Sequence, residues 1–156
     1  MFEKEFKVLT NWTSSNKQDS LNKFSNSKTH NITIKNKPVL TVSAAKEFKG
    51  DKTKYNPEDL FLSALSSCHM MSYMYLCDMN NITLVNYTDE TSGKLLVKAD
   101  GSGSFISIVL YPIVTILEKN KINLAIRLHK EANRLCFIAN SSNVPITHKP
   151  KILIAK

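Results

Sequence analysis

Residues 56–80, NPEDLFLSALSSCHMMSYMYLCDMN, decide how the chain is read. Asn56 supplies a capping amide, Pro57 stands where a first helical residue needs no N–H, and Glu58 and Asp59 put negative charge in the first turn. All three suit the unpaired N–H groups and positive dipole end of a helix start. Leu60, Ala64, Cys68, Met71, Tyr75 and Met79 then recur three or four apart, which predicts one long helix to about Asn80 with a broad apolar face. Cys68 and Cys77 share this helix. On straight geometry they stand about 13.5 Å apart along the axis and on nearly opposite sides, so they cannot bridge each other.

Outward from this helix the patterns change. Residues 2–13 and 30–43 alternate apolar and polar, as strands do, and Asn-, Ser- and Lys-rich sequence separates them. The charged stretch 44–55 has no period and reads as a loop. After the helix, 84–99 and 104–117 read as strands joined through Asp100-Gly101-Ser102-Gly103 as a hairpin. Residues 123–140 place Leu124, Leu128, Ala132, Leu135, Cys136 and Ala139 at helical spacing. Residues 144–155 close the chain as a strand that Pro145 and Pro150 confine to a sheet edge. The order β-β-(β)-α-β-β-α-β predicts a single α+β domain over residues 1–156, with two helices against antiparallel sheet.

The two helices each carry a cysteine near the middle of an apolar face, Cys68 and Cys136. If the faces pack at the usual interaxial distance and the registers match, that pair is within disulfide reach. Two small apolar side chains at a tight crossing explain the same pattern, and packing is the reading for Cys77. Neighbouring Cys68 and His69 diverge by about 100° around the helix, which disfavours a shared metal ion, and no metal is expected. His69 and His129 are candidates for favouring a thiolate nearby, whereas His30 and His148 read as strand surface residues.

Composition narrows the class. The net charge of +8 comes from lysines spread along the chain among acids, with only Arg127 and Arg134 as arginines, which does not suit nucleic-acid recognition. Ser66, Ser67, His69, Ser72 and Asp78 interrupt the most apolar helix, so no membrane span is expected. MFEKEFKVLT lacks the apolar core of a secretory signal, and three cysteines do not form a disulfide framework, so a cytoplasmic location is expected.

YNPEDLFLSALSSCHM (55–70) and LHKEANRLCFIANSSNVPI (128–146) together resemble the OsmC/Ohr family of thiol peroxidases, in a branch marked by Ser-Ser-Cys-His-Met and Cys-Phe-Ile-Ala-Asn-Ser. The resemblance runs from about Lys46 to the C-terminus. It implies an OsmC-like fold, antiparallel sheets wrapped around two central helices, in an intertwined homodimer with its sites at the subunit interface. It also implies reduction of organic hydroperoxides or hydrogen peroxide without metal or other cofactor. Cys68 then corresponds to the peroxidatic thiolate, Cys136 to the resolving thiol, and Glu58 to an acid that orients a cationic partner. A dithiol is the implied reductant.

This chain departs from the family pattern in having no arginine ahead of the first helix. Lys46, Lys49, Lys52 and Lys54 stand there instead, carrying charge without a bidentate fork. The departure keeps two other readings open, a non-catalytic protein that binds a hydrophobic ligand and a slow redox sensor. Glu58 and Cys68 lie about 15 Å apart along a straight helix, so the helix must bend or a second subunit must bring the acid close.

Overall fold

The computed structural model describes residues 1–13 and 27–156, and the polar separator at 14–26 lies outside them. It divides into two compact units, Met1–Phe61 and Leu62–Lys156. The boundary falls within the first helix.

In the first unit, β1 (Leu9–Asn11), β2 (His30–Thr33) and β3 (Leu40–Val42) form an antiparallel sheet in that order. The alternating run 2–13 is strand only at its end, and residues 2–8 are exposed outside the ladder. The run 30–43 doubles back at Asn36, a residue type that tolerates the left-handed φ of 63° found there, and the Lys37 amide closes the turn onto the Ile34 carbonyl at 3.0 Å. This fold-back makes the third strand. The loop that follows contains a short 3-10 turn, Lys46–Phe48.

Helix α1 (Pro57–Met79) starts where its cap chemistry predicts. The Asn56 Oδ1 accepts from the Asp59 amide at 2.8 Å, and the Asp59 carboxylate accepts in return from the Asn56 amide at 3.3 Å. That reciprocal pairing satisfies two backbone donors at once.

The second unit contains β4 (Leu84–Asp89), β5 (Ser92–Val97), β6 (Gly103–Leu110), β7 (Pro112–Ile116), α2 (Ile122–Leu135), α3 (Phe137–Asn140), β8 (Ile146–His148) and β9 (Lys151–Ile154). Two sheets result, ordered β4-β7-β9 and β5-β6-β8. Each of the long strand runs at 84–99 and 104–117 is therefore two strands that change sheet at a corner. Asp89 ties the corners together: its carboxylate accepts from the Tyr111 amide at 2.7 Å and from the Ser66 and Thr91 hydroxyls at 2.6 Å each. The β5–β6 hairpin turns at Gly101, φ 84°, as the sequence predicts.

The closing run 144–155 also divides, at Lys149-Pro150. Its halves occupy sheet edges, as their prolines require, but β8 pairs with β6 and β9 with β7 in parallel. The expectation of antiparallel sheet is corrected here to mixed sheet. After β7 the chain crosses over through α2 and α3, and a helical crossover returns the next strand in the same direction.

The buried face of α1 also differs from the expected one. Leu65, His69, Tyr73 and Cys77 are buried, while Ala64, Met71, Tyr75 and Met79 are exposed. The helix is apolar nearly all round, so periodicity selects no unique face. Tyr73, Cys77, Ile82, Val114, Ile116, Ala125, Leu128 and Ala132 form the core of the unit. Among the described residues, no helix is long and apolar enough to cross a membrane.

Candidate active site

The second unit brings Cys68 and Cys136 together. Cys68 is half-buried on α1, and Cys136 is fully buried. The expected helix 123–140 breaks at Cys136, whose φ of -72° and ψ of 112° are extended, and α3 begins directly after it. The Cys136 Sγ caps that short helix by accepting from the Ala139 amide at 3.4 Å. The Cys68 thiol lies close enough to Cys136 to act on it electrostatically. Burial pushes the Cys136 thiol up to about 11; the Ala139 and Ile138 amides oppose that shift, and the contact with Cys68 adds to it.

Cys77 is the contrasting thiol. It lies in the core with no exposed surface, and burial pushes it up to about 11 as well, opposed by a hydrogen bond with Tyr73. Its neighbours Tyr73, Ile82, Val114 and Ile116 are all buried. Thiolate chemistry is suppressed there.

Next to Cys68, the buried His69 pairs with the buried His129 of α2, Nε2 to Nδ1 at 3.0 Å. The Tyr73 ring stacks on His129 at 3.9 Å, and the His148 ring stacks on His69 at 4.5 Å. Sequence reasoning missed this cluster and assigned His148 to the strand surface; it is half-buried, with its Nε2 enclosed. The available signal was spacing, since His69, Tyr73 and Cys77 recur every four residues, as do Ala125 and His129.

Burial pushes His69 down to about 4, with His148 adding to the effect and Asp89 opposing it. Burial, then His69 and His148, push His129 down to about 3. Both imidazoles are therefore neutral at neutral pH, and neither supplies the positive charge that would hold Cys68 as a thiolate. Among the described residues, no three His, Cys, Asp or Glu side chains are arranged to hold a metal ion.

Glu58 lies in the first unit, in the first turn of α1. Its Oε2 is buried without a hydrogen-bond partner among the described residues. Lys46, Lys49, Lys52 and Lys54 are all exposed in the same unit. Of the arginines, Arg127 is exposed and Arg134 pairs with Glu131 at 2.5 Å.

A family model described as OsmC-like protein matches residues 50–150. No curated protein matches the chain. An OsmC-like protein of unknown function from Vibrio cholerae superposes with a TM-score of 0.86 at 23% identity, over 95% of this chain and 99% of that one. A Legionella pneumophila protein described as an organic hydroperoxide resistance protein OsmC gives 0.67 at 14% identity, over 97% and 99%. The organic hydroperoxide resistance protein OhrB of Bacillus subtilis gives 0.59 at 17%, over 94% and 96%. At these identities the structures establish a shared fold.

Proposed function

Because the chain belongs to the OsmC-like family, we propose that it is a cysteine-based peroxidase that reduces organic hydroperoxides or hydrogen peroxide. The observation that carries this reading is the placement of two free thiols side by side, half-buried Cys68 on α1 and buried Cys136 at the end of α2. Relatives of the same fold named for organic hydroperoxide resistance support it.

In the proposed cycle the Cys68 thiolate attacks the outer peroxide oxygen. An S–O bond forms, the O–O bond breaks, and the alkoxide leaves as an alcohol after taking a proton. Cys68 is then a sulfenic acid. The Cys136 sulfur displaces its hydroxyl, which leaves as water with the Cys136 proton, and a Cys68–Cys136 disulfide remains. A dithiol reductant restores both thiols by exchange. Cys136 is suited to the second step by its place beside Cys68; burial raises its thiol to about 11, so it must give up its proton as it attacks, and the departing hydroxyl takes that proton. No metal or other cofactor takes part in this scheme.

Glu58 is assigned the role of orienting a cation, and its enclosed, unpartnered Oε2 supports that role. The working unit is proposed to be a homodimer. Met71, Met74, Tyr75 and Met79 leave one face of α1 apolar and exposed, a face that a second copy would cover. The same proposal includes a cytoplasmic location, where reducing systems would supply the dithiol.

A second reading is binding of a hydrophobic ligand. The lack of an arginine ahead of α1 motivates it, and a cleft of about 940 Å³ whose lining mixes Met70, Met74, Ile82 and Tyr87 with Asp78, Asn81, Asn86 and Glu118 offers such a ligand a place. One experiment separates the two: supply cumene hydroperoxide and dithiothreitol to the reduced protein and follow the peroxide. Steady consumption supports the peroxidase; none, together with a lipid retained through purification, supports the binding protein.

A further inference from the structure

Apolar helices packed on one another slide easily, because one layer of methyl groups resembles the next. A thiol pair does not tolerate that. A slip of one residue moves a side chain about 1.5 Å along the axis and about 100° around it, which takes two sulfurs out of bonding geometry. Cys136 is especially exposed to such a slip. It stands one residue past the end of α2, so its place opposite Cys68 depends on where α2 sits along α1.

Two polar rungs cross between these helices. The Tyr73 hydroxyl donates to the Ala125 carbonyl at 3.1 Å, and one turn away His69 Nε2 meets His129 Nδ1 at 3.0 Å. The rungs differ in selectivity. A hydroxyl can move to the next carbonyl of a helix when the helix shifts, whereas a bond between two side chains exists in a single register. His69 immediately follows Cys68, and His129 precedes Cys136 by seven residues. Both rings are 1% exposed. Apolar residues of similar volume would fill this space without the desolvation of four ring nitrogens. Burying a polar pair in an apolar interface is a known way of setting register.

We propose that the His69–His129 hydrogen bond is the register lock that holds Cys136 opposite Cys68, so that both histidines are positioning residues for the thiol pair. This deepens the peroxidase reading and rests on it for its biological purpose. The geometric claim concerns disulfide closure alone. His148 stacks on His69 and Tyr73 on His129, which fixes the planes of the two rings.

The test is an equilibrium between the reduced protein and oxidised dithiothreitol. Two protein S–H bonds are exchanged for one S–S bond while the reagent disulfide becomes a dithiol, so no peroxide is involved. His129→Asn keeps a polar atom near the Nδ1 position but loses the ring. His129→Phe keeps a ring for Tyr73 to stack on but loses the nitrogen. The lock predicts that the equilibrium constant for the Cys68–Cys136 disulfide stays within about threefold of wild type in His129→Asn and falls at least about tenfold, or about 30 mV, in His129→Phe. Ring packing alone predicts the reverse order for the disulfide constant, with the Phe variant closing at least as well as the Asn variant. Equal disulfide constants, or the Phe variant closing better than the Asn variant, overturn the proposal. Should either variant fail to fold, His69→Gln against His69→Phe repeats the comparison from the Nε2 side. If wild-type protein closes the disulfide in this assay yet consumes no peroxide, the peroxidase reading fails and the lock stands.

Discussion

Cys68 and Cys77 lie on one helix, nine residues apart, among similarly apolar neighbours, yet they occupy different chemical settings. Cys77 faces Tyr73, Ile82, Val114 and Ile116 in a closed core. Cys68 is half-buried and faces a second sulfur. The difference arises on the opposing helix: α2 stops at Leu135, and the extended residue after it is Cys136. A thiol becomes a candidate for chemistry here because the element across from it ends. Hydrophobicity does not separate the two.

The largest effect expected from breaking this contrast is in Cys68→Ser, which reduces peroxide consumption to the uncatalysed background. Cys77→Ala leaves it within about twofold of wild type, because Cys77 only packs. Peroxide consumption by both variants, measured with dithiothreitol as reductant, checks the pair together. Cys136→Ser comes next. With one equivalent of peroxide and no dithiol present, it leaves an unresolved sulfenic acid on Cys68, which dimedone labels once per chain in intact-mass spectra.

A smaller effect concerns acid stability. His69 and His129 are depressed to about 4 and about 3, and His148 is also lowered by burial. The unfolded chain takes protons from about pH 6.5 downward that the folded chain refuses. Stability is therefore full above about pH 6.5 and is lost as the pH falls through about 4, at up to about 1.4 kcal/mol per pH unit for each histidine. Asp89 opposes the shift at His69 and His148. Urea unfolding between pH 7 and pH 4 measures the slope, and His148→Phe should flatten it.

The smallest effect is expected from Tyr73→Phe. It removes the hydroxyl that donates to the Ala125 carbonyl, at a cost of about 1 kcal/mol. Peroxide consumption should not change. A tenfold loss of activity in this variant would erase the distinction between the two ends of the helix.

Much of this architecture is legible in the residues themselves. The cap Asn56-Pro57-Glu58-Asp59 marks the start of α1, the Gly101 turn marks the hairpin, and Cys68 with Cys136 stand out as the cysteine pair that two helices can bring together. What could not be read has a common physical origin. An all-round apolar helix does not declare its buried side, so Leu65, His69, Tyr73 and Cys77 were hidden behind the equally apolar stripe that ends at Met79. The strand corners depend on Asp89 reaching Tyr111, Thr91 and Ser66, partners two to twenty-three residues away. Helical spacing continues through Cys136 although the backbone does not, because Phe137, Ile138 and Ala139 are as apolar as the turn before them. The histidine cluster joins α1, α2 and β8, and only tertiary structure brings residues 69, 129 and 148 together.

The central claim is that Cys68 and Cys136 form one redox unit from which Cys77 is excluded. The most direct test is to add one equivalent of cumene hydroperoxide to the fully reduced protein, block the remaining thiols, and map the peptides by mass spectrometry. The account predicts a Cys68–Cys136 disulfide with Cys77 blocked as a free thiol. Three free thiols, or a disulfide that includes Cys77, would contradict it.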